Sequence, residues 1–219
     1  MIRFYRSFIK PGDLCFDIGA NIGERTEIFK QLGAKIVAVE PQKKCFSILQ
    51  NKYSENRSIT LINKAVGSNE KEDELLLCDE TTECATLSPD FVSFYTKFSG
   101  LHWQKKEKIL VTTLDKLIEQ YGKPVFIKID VEGYESEVLK GLNSKVKYIG
   151  FEFNRPLLAD TLLCLKKLEE LGNCNCNFIK YEFMDLALSE WLPISEFKEQ
   201  LEKLIPENIL TGEVIIDFN

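Results

Sequence analysis

The chain has 219 residues, 44% of them hydrophobic with 15 Phe, and its 28 Lys and Arg against 34 Asp and Glu leave a net charge of -6. That size and apolar content suffice for one full core, so a single domain over residues 1–219 is expected rather than two. The acidic balance excludes a general nucleic-acid binder, no apolar run nears the roughly 20 residues of a membrane span, and the start Met1 to Arg6 lacks a signal peptide's apolar centre, so a cytoplasmic protein is expected.

After an N-terminal segment over residues 1–12, Asp13-Leu-Cys-Phe-Asp17 is an apolar run of strand length that flows into the turn Gly19-Ala-Asn21-Ile-Gly23. Ile22, Thr26 and Phe29 recur at helical spacing, and Gly33 can close that helix. Lys35 to Val39 is a second strand ending in Glu40-Pro41, and Phe46, Leu49 and Tyr53 mark a second helix. Ile59 to Asn63 is a third strand, leading into Lys64-Ala65-Val66-Gly67, with an extra strand at Glu74 to Cys78. Residues 79–107 are less regular. Phe91, Phe94, Tyr95, Phe98 and Trp103 crowd there, which suits a lid over a pocket or an amphipathic helix packed onto the core.

Lys108 to Thr112 is a short strand before a helix from Leu114 to Tyr121. Pro124 to Asp130 is the fourth core strand, Tyr134 to Gly141 a helix, and Val146 to Phe153 the fifth core strand. Leu158, Leu162, Leu165 and Leu168 line one face of a helix stopped at Gly172. Strands at Phe178 to Phe183 and Glu213 to Phe218 end the chain, separated by an insertion over residues 184–212 that holds a helix from Ser195 to Ile205. Such alternation predicts a doubly wound α/β fold: a mostly parallel seven-stranded sheet, helices on both faces, and an antiparallel C-terminal strand. The seven cysteines are odd in number and show no C-x-x-C spacing, so neither a disulfide framework nor a zinc site is expected.

Strand, glycine turn, helix, strand and acid outline a nucleotide half-site, with Glu40 placed to accept hydrogen bonds from ribose hydroxyls. A dinucleotide fingerprint would read G-x-G-x-x-G; this turn has Gly19-x-x-x-Gly23 and an acid, Asp17, before it. A carboxylate there repels a pyrophosphate but receives an amino acid's ammonium, directly or through water. S-adenosylmethionine carries both that group and an adenine ribose. The pattern resembles the class I methyltransferases that use this cofactor.

Three separated segments sharpen the resemblance: Asp17 to Gly23 with Thr26, Val39-Glu40-Pro41, and Lys128-Ile-Asp130-Val-Glu132-Gly133-Tyr134-Glu135 preceded by Thr113-Leu114-Asp115. Together they resemble the FkbM-type methyltransferases over about Pro11 to Glu152. The resemblance implies transfer to a hydroxyl of a sugar, glycan or small metabolite, the acceptor being the expected partner. It also implies that Gly19, Ala20, Asn21 and Gly23 wrap the methionine part, Thr26 bonds its carboxylate, Glu40 holds the ribose, and Pro41 and Ala65 flank adenine. Asp17, Asn63 and Asp130 converge at the same sheet edge in this reading.

A base that draws off the acceptor's proton would come from Asp130, Glu132, Glu152 or the one histidine, His102. Lys128 alternates onto the face of Asp130 as an ion-pair partner. Asp130, Glu132 and Glu152 could instead hold Mg²⁺, a reading not favoured, because a hard cation needs acids that converge in space and spacing cannot show convergence. An NAD(P)-dependent oxidoreductase and a non-catalytic S-adenosylmethionine-binding protein are the alternatives, and a homo-oligomer is possible.

Overall fold

A computed structural model describes residues 1–180, 185–205, 207 and 209–218. In chain order its elements are α1 (Ile2–Tyr5), β1 (Leu14–Ile18), α2 (Glu24–Gln31), β2 (Lys35–Val39), α3 (Lys43–Tyr53), β3 (Ile59–Ile62), β4 (Ala65–Val66) and β5 (Lys71–Leu77). There follow α4 (Pro89–Ser99), β6 (Lys105–Thr112), α5 (Leu114–Tyr121), β7 (Phe126–Ile129), α6 (Glu135–Lys140) and β8 (Tyr148–Asn154). The chain ends through α7 (Leu158–Leu171), β9 (Asn175–Lys180), β10 (Leu192–Pro193), α8 (Ile194–Leu204) and β11 (Thr211–Asp217).

The main sheet has the order β10-β9-β11-β8-β7-β1-β2-β3. β3, β2, β1, β7 and β8 pair in parallel, while β11 runs antiparallel to both β8 and β9. The seven longer strands and the antiparallel last one match the sequence reading; the two-residue β10 adds an eighth at the edge. β1, β2, β7 and β8 are buried almost throughout, as parallel strands covered on both faces must be, which is why they read as unbroken apolar runs.

Alternate residues feed two cores. Phe16, Ile18, Ile127, Ile129 and Phe151 face Leu117, Val138, Leu165 and Phe197 of α5 to α8, whereas Cys15, Ala38, Phe126 and Ile215 face Tyr5, Phe29 and Leu49 of α1 to α3. The chain winds from β1 through β2 to β3 on one side and returns to β7 on the other, so strand order reverses between β1 and β7. Ligands of open α/β sheets sit at such a crevice.

A second sheet, ordered β4-β6-β5, stands apart and has its own small core of Ala65, Leu75, Ile109 and Val111. The strand expected at Glu74 to Cys78 is β5, which pairs antiparallel with β6 in this sheet. The aromatic segment holds a helix, α4, whose Ser88 hydroxyl accepts from the Phe91 amide, with Pro89 in the first turn and Gly100 left-handed at the end. Phe91 is buried beside Gly133, and the Tyr95 hydroxyl donates to Asn154 Oδ1 at 2.7 Å, so α4 packs down by its Phe91 face. The helix expected at Ser195 to Ile205 is α8. Residues 181–183 of the strand expected to run to Phe183, and Met184, lie outside the described residues. Among the described residues no helix is long and apolar enough to cross a membrane.

Candidate active site

β1 delivers Asp17 and then a turn that only glycine can make. Gly19 has φ +81°, and a Cβ on it would lie 1.8 Å from the Asp130 carbonyl oxygen, so the turn after β1 rests directly on the end of β7. The Gly19 and Ala20 amides donate to the Val39 carbonyl at 2.9 and 3.1 Å, which ties the same turn to β2. Gly23 has a different task. It caps α2 at φ +88°, and a Cβ there would strike Leu49 and Tyr53 of α3, so it sets helix packing and does not line the clefts described below.

Glu40 lies at the mouth of β2, 6% exposed. Its Oε2 accepts from the Asn21 amide and its Oε1 from the Gln42 amide, each at 2.8 Å. Burial drives its pKa up to about 7 against the pull of those two amides. Each oxygen keeps a lone pair for a further donor. Asn63 lines neither of the two clefts described below; its Nδ2 donates to the carbonyls of Glu40 and Pro41 at 2.8 and 2.9 Å and so fixes the backbone that carries Glu40.

Two adjoining clefts open at this edge. The first, about 550 Å³, is bounded by Gly19, Asn21, Glu40, Pro41, Ala65 and Asp130, with an apolar wall of Leu75 and Leu87 from the second sheet and the loop after it. The other, about 1020 Å³, runs past Asp17, Ala20, Asp130, Glu132 and Glu152. Gly19, Asn21, Asp130 and Glu132 border both, so an apolar half continues into an acidic one.

Asp17 is buried, and its pKa is raised by that burial despite the Thr26 hydroxyl, which donates to Oδ2 at 2.5 Å, and the charges of Arg25 and Lys128. Thr26 is therefore spent on Asp17 and, fully buried, offers nothing to a ligand carboxylate. This corrects the sequence expectation: Asp17 closes β1 and Thr26 sits in the first turn of the helix behind it, so the two meet inside the protein.

Lys128 is wholly buried. Its ammonium donates to Asp130 Oδ2 at 3.2 Å and to the Ile129 carbonyl at 3.1 Å, and lies 3.7 Å from Glu213 Oε2. Burial alone would push this amine's pKa down, but the charges of Asp130 and Glu213 outweigh it and hold the pKa above the usual lysine value. Glu213 reaches Lys128 across Gly150, where a Cβ would come within 2.1 Å of Glu213 Oε1. The Tyr5 hydroxyl donates to Glu213 Oε2 at 3.2 Å. The sequence reading gives Tyr5, Gly150 and Glu213 no role in the site. Two charged residues in buried strand positions, Lys128 and Glu213, were the available signal, since such charges are seldom unpaired.

Beyond β7 the chain turns through Glu132 at φ 56° and Gly133 at φ 83°. Glu135, buried and raised to about 8 by burial and then by the charge of Asp160, accepts from the Val131 amide at 3.1 Å, and Thr86 Oγ1 donates to the Glu132 carbonyl at 2.7 Å. Those bonds hold the turn so that one carboxylate oxygen each of Asp130, Glu132 and Glu152 lie within 4.8 Å of one another. Burial, then the charge of Asp130, raises both Glu132 and Glu152 well above the ordinary glutamate value. His102 stands apart: it is exposed, its Nδ1 lies 2.8 Å from Glu80 Oε1, and it lines neither cleft.

The sequence model of a family described as the methyltransferase FkbM domain matches residues 17–194. No curated protein matches the chain. Among solved structures the fold is similar to that of fibrillarin from Aeropyrum pernix, described as in complex with natively bound S-adenosyl-L-methionine: TM-score 0.50, 10% identity, 94% of this chain and 67% of that one covered. It is also similar to precorrin-6y C5,15-methyltransferase from Geobacter metallireducens (TM-score 0.48, 11% identity, 100% and 86% covered). A TehB-like SAM-dependent methyltransferase from Corynebacterium glutamicum gives a TM-score of 0.49 at 10% identity, with 100% and 86% covered. At 10% identity the likeness to fibrillarin is one of fold.

Proposed function

The chain belongs to the FkbM methyltransferase family, and from that membership we propose that it transfers a methyl group from S-adenosylmethionine to a hydroxyl oxygen of a sugar, glycan or small metabolite. The observation that carries this reading is the continuity of the two clefts past Glu40 and Asp17 to the three acids Asp130, Glu132 and Glu152.

The residues fit the cofactor. Glu40 has lone pairs left over for two ribose hydroxyls, the wall of Ala65, Leu75 and Leu87 suits an adenine ring, and the bare backbone at Gly19 admits a ligand at close range. Asp17, at the acidic end, supplies the negative charge for an amino-acid ammonium. Bound S-adenosylmethionine supplies an electrophilic methyl group on a sulfonium centre.

The protein's share is then alignment and proton handling. The walls of the clefts hold the acceptor oxygen in line and exclude water. Lys128 anchors Asp130, and a carboxylate of this cluster in its ionised form takes up the hydroxyl proton, an assistance worth about 10²–10⁴-fold. His102 has no part in this scheme, being exposed and engaged with Glu80.

The test is incubation with methyl-labelled S-adenosylmethionine and a panel of hydroxylated sugars and metabolites, read by mass spectrometry for wild type and Asp130→Asn. One acceptor class gaining a single methyl group with wild type, and much less with the variant, is the expected result. Cofactor binding with no acceptor methylated across the panel would favour the non-catalytic alternative.

A further inference from the structure

Asp130 directly follows β7, Glu132 comes after it in the held turn, and Glu152 comes from the neighbouring β8, so three carboxylates from two chain segments meet at one point of the acidic cleft. We propose that they form a binding site for one divalent cation of the Mg²⁺ or Mn²⁺ kind, which gives the acceptor's oxygen a fixed ligand position; the acceptor half of this inference rests on the methyltransferase reading above, the cation half does not.

The grouping of acids alone would not carry this. Glu152 supplies the independent observation: it is 9% exposed, its Oε2 has no hydrogen-bond partner, and it points at the other two acids. A carboxylate so buried is costly unless an opposite charge or good donors meet it. The obvious protein cation is already engaged. Lys128 contacts Asp130 at 3.2 Å and Glu213 at 3.7 Å, and Glu213, the residue in register with Glu152, is also held by Tyr5. Around the same cleft Asp17, Glu24, Glu83, Asp130, Glu132 and Glu152 face Arg25, so acids outnumber bases at its wall.

The dimensions suit a small hard cation. With metal-oxygen distances of ~2.1 Å, neighbouring ligands of an octahedral ion stand roughly 3 Å apart and opposite ones roughly 4.2 Å. The three oxygens already lie within 4.8 Å of one another, and rotation of the two glutamate side chains closes the difference. Three carboxylates leave other positions of a six-coordinate ion for water or an acceptor oxygen. A cation there would also turn the mutual repulsion of three carboxylates held within 4.8 Å of one another into attraction.

The experiment is a Mn²⁺ titration of chelator-stripped protein read by electron paramagnetic resonance, with and without S-adenosylhomocysteine, on wild type, Asp130→Asn, Glu152→Gln and the exposed control Glu74→Gln, each checked for folding by circular dichroism. The expected result is one bound Mn²⁺ per chain, displaced by Mg²⁺, and weakened in Asp130→Asn and Glu152→Gln by more than the roughly 10–100-fold that loss of an outer-shell partner costs, with Glu74→Gln unchanged. No bound Mn²⁺ in the wild type, or equal binding in all four proteins, would overturn the site. Calorimetry of S-adenosylhomocysteine on the same samples separates the two readings: a protein that binds Mn²⁺ as expected but not the nucleoside would keep the cation site and contradict the cofactor reading.

Discussion

Replacing Glu40 by Gln should uncouple cofactor affinity from stability. In the folded protein the carboxylate accepts two main-chain amides at 2.8 Å each and has a lone pair per oxygen for the ribose. Hydrogen bonds to a charged group are worth about 1.5–3 kcal/mol each, so losing the ribose bond at the replaced oxygen and weakening the other to a neutral one removes about 2–4 kcal/mol, or roughly 10–10³ in affinity. Stability responds differently. The folded-state pKa of about 7 is raised above the ordinary 4.5, so this group favours the folded state fully below about pH 4.5 and that contribution is lost as pH rises through 7. Above pH 7 the shift amounts to a destabilisation of about 3 kcal/mol, which Gln relieves. Against that, the Gln amino group leaves one of the two amides without an acceptor, at about 1–3 kcal/mol. The opposed effects leave apo stability at pH 8 within about 2 kcal/mol of wild type. Calorimetry with S-adenosylhomocysteine and thermal melts of the same preparations check both halves. Wild-type affinity should also fall as pH drops below about 7, when Glu40 takes a proton, and the Gln variant should lose that dependence. Binding by Glu40→Gln within about threefold of wild type would refute the assignment of Glu40 to the ribose.

Other substitutions probe the supports of the site. Gly19→Ala places a Cβ 1.8 Å from the Asp130 carbonyl oxygen at a left-handed φ, so S-adenosylhomocysteine binding should vanish in calorimetry and the melting temperature should drop; an unaltered protein would contradict the close approach of β1 and β7. Gly150→Ala sets a Cβ 2.1 Å from Glu213 Oε1 and pushes that carboxylate off Lys128, with an expected loss of about 3 kcal/mol in urea denaturation. His102→Ala should keep turnover within about twofold, because the ring is exposed and bonded to Glu80; a large loss would return histidine to the mechanism.

The core strands were legible because parallel strands buried on both faces leave unbroken apolar runs, as in Phe126 to Ile129. The cofactor end proposed here rests on Asp17, Gly19 and Glu40, which stand in local order along one strand-turn-helix-strand unit and so can be picked out from the sequence. Contacts set by sheet register were not legible. Nothing near Lys128 in sequence announces Glu213, which reaches it only because β11 inserts antiparallel beside β8 and Gly150 leaves room. Thr26 was misassigned for a related reason: helical spacing gives its face, but not that the Asp17 carboxylate lies in front of it. The helix α4 has a cap in Ser88-Pro89 and a stop in Gly100, helix signals that the sequence reading did not use. Convergence of Asp130, Glu132 and Glu152 depends on the left-handed turn at Glu132 and Gly133, a conformation the glycine permits but does not specify.

The most direct measurement is a crystal structure of the protein soaked with S-adenosylhomocysteine. Adenine against Ala65 and Leu75, ribose hydroxyls on the Glu40 carboxylate, and the amino-acid end by Asp17 is the expected arrangement. Ligand density away from the β1 turn, or a site still empty at saturating concentration, would contradict the account.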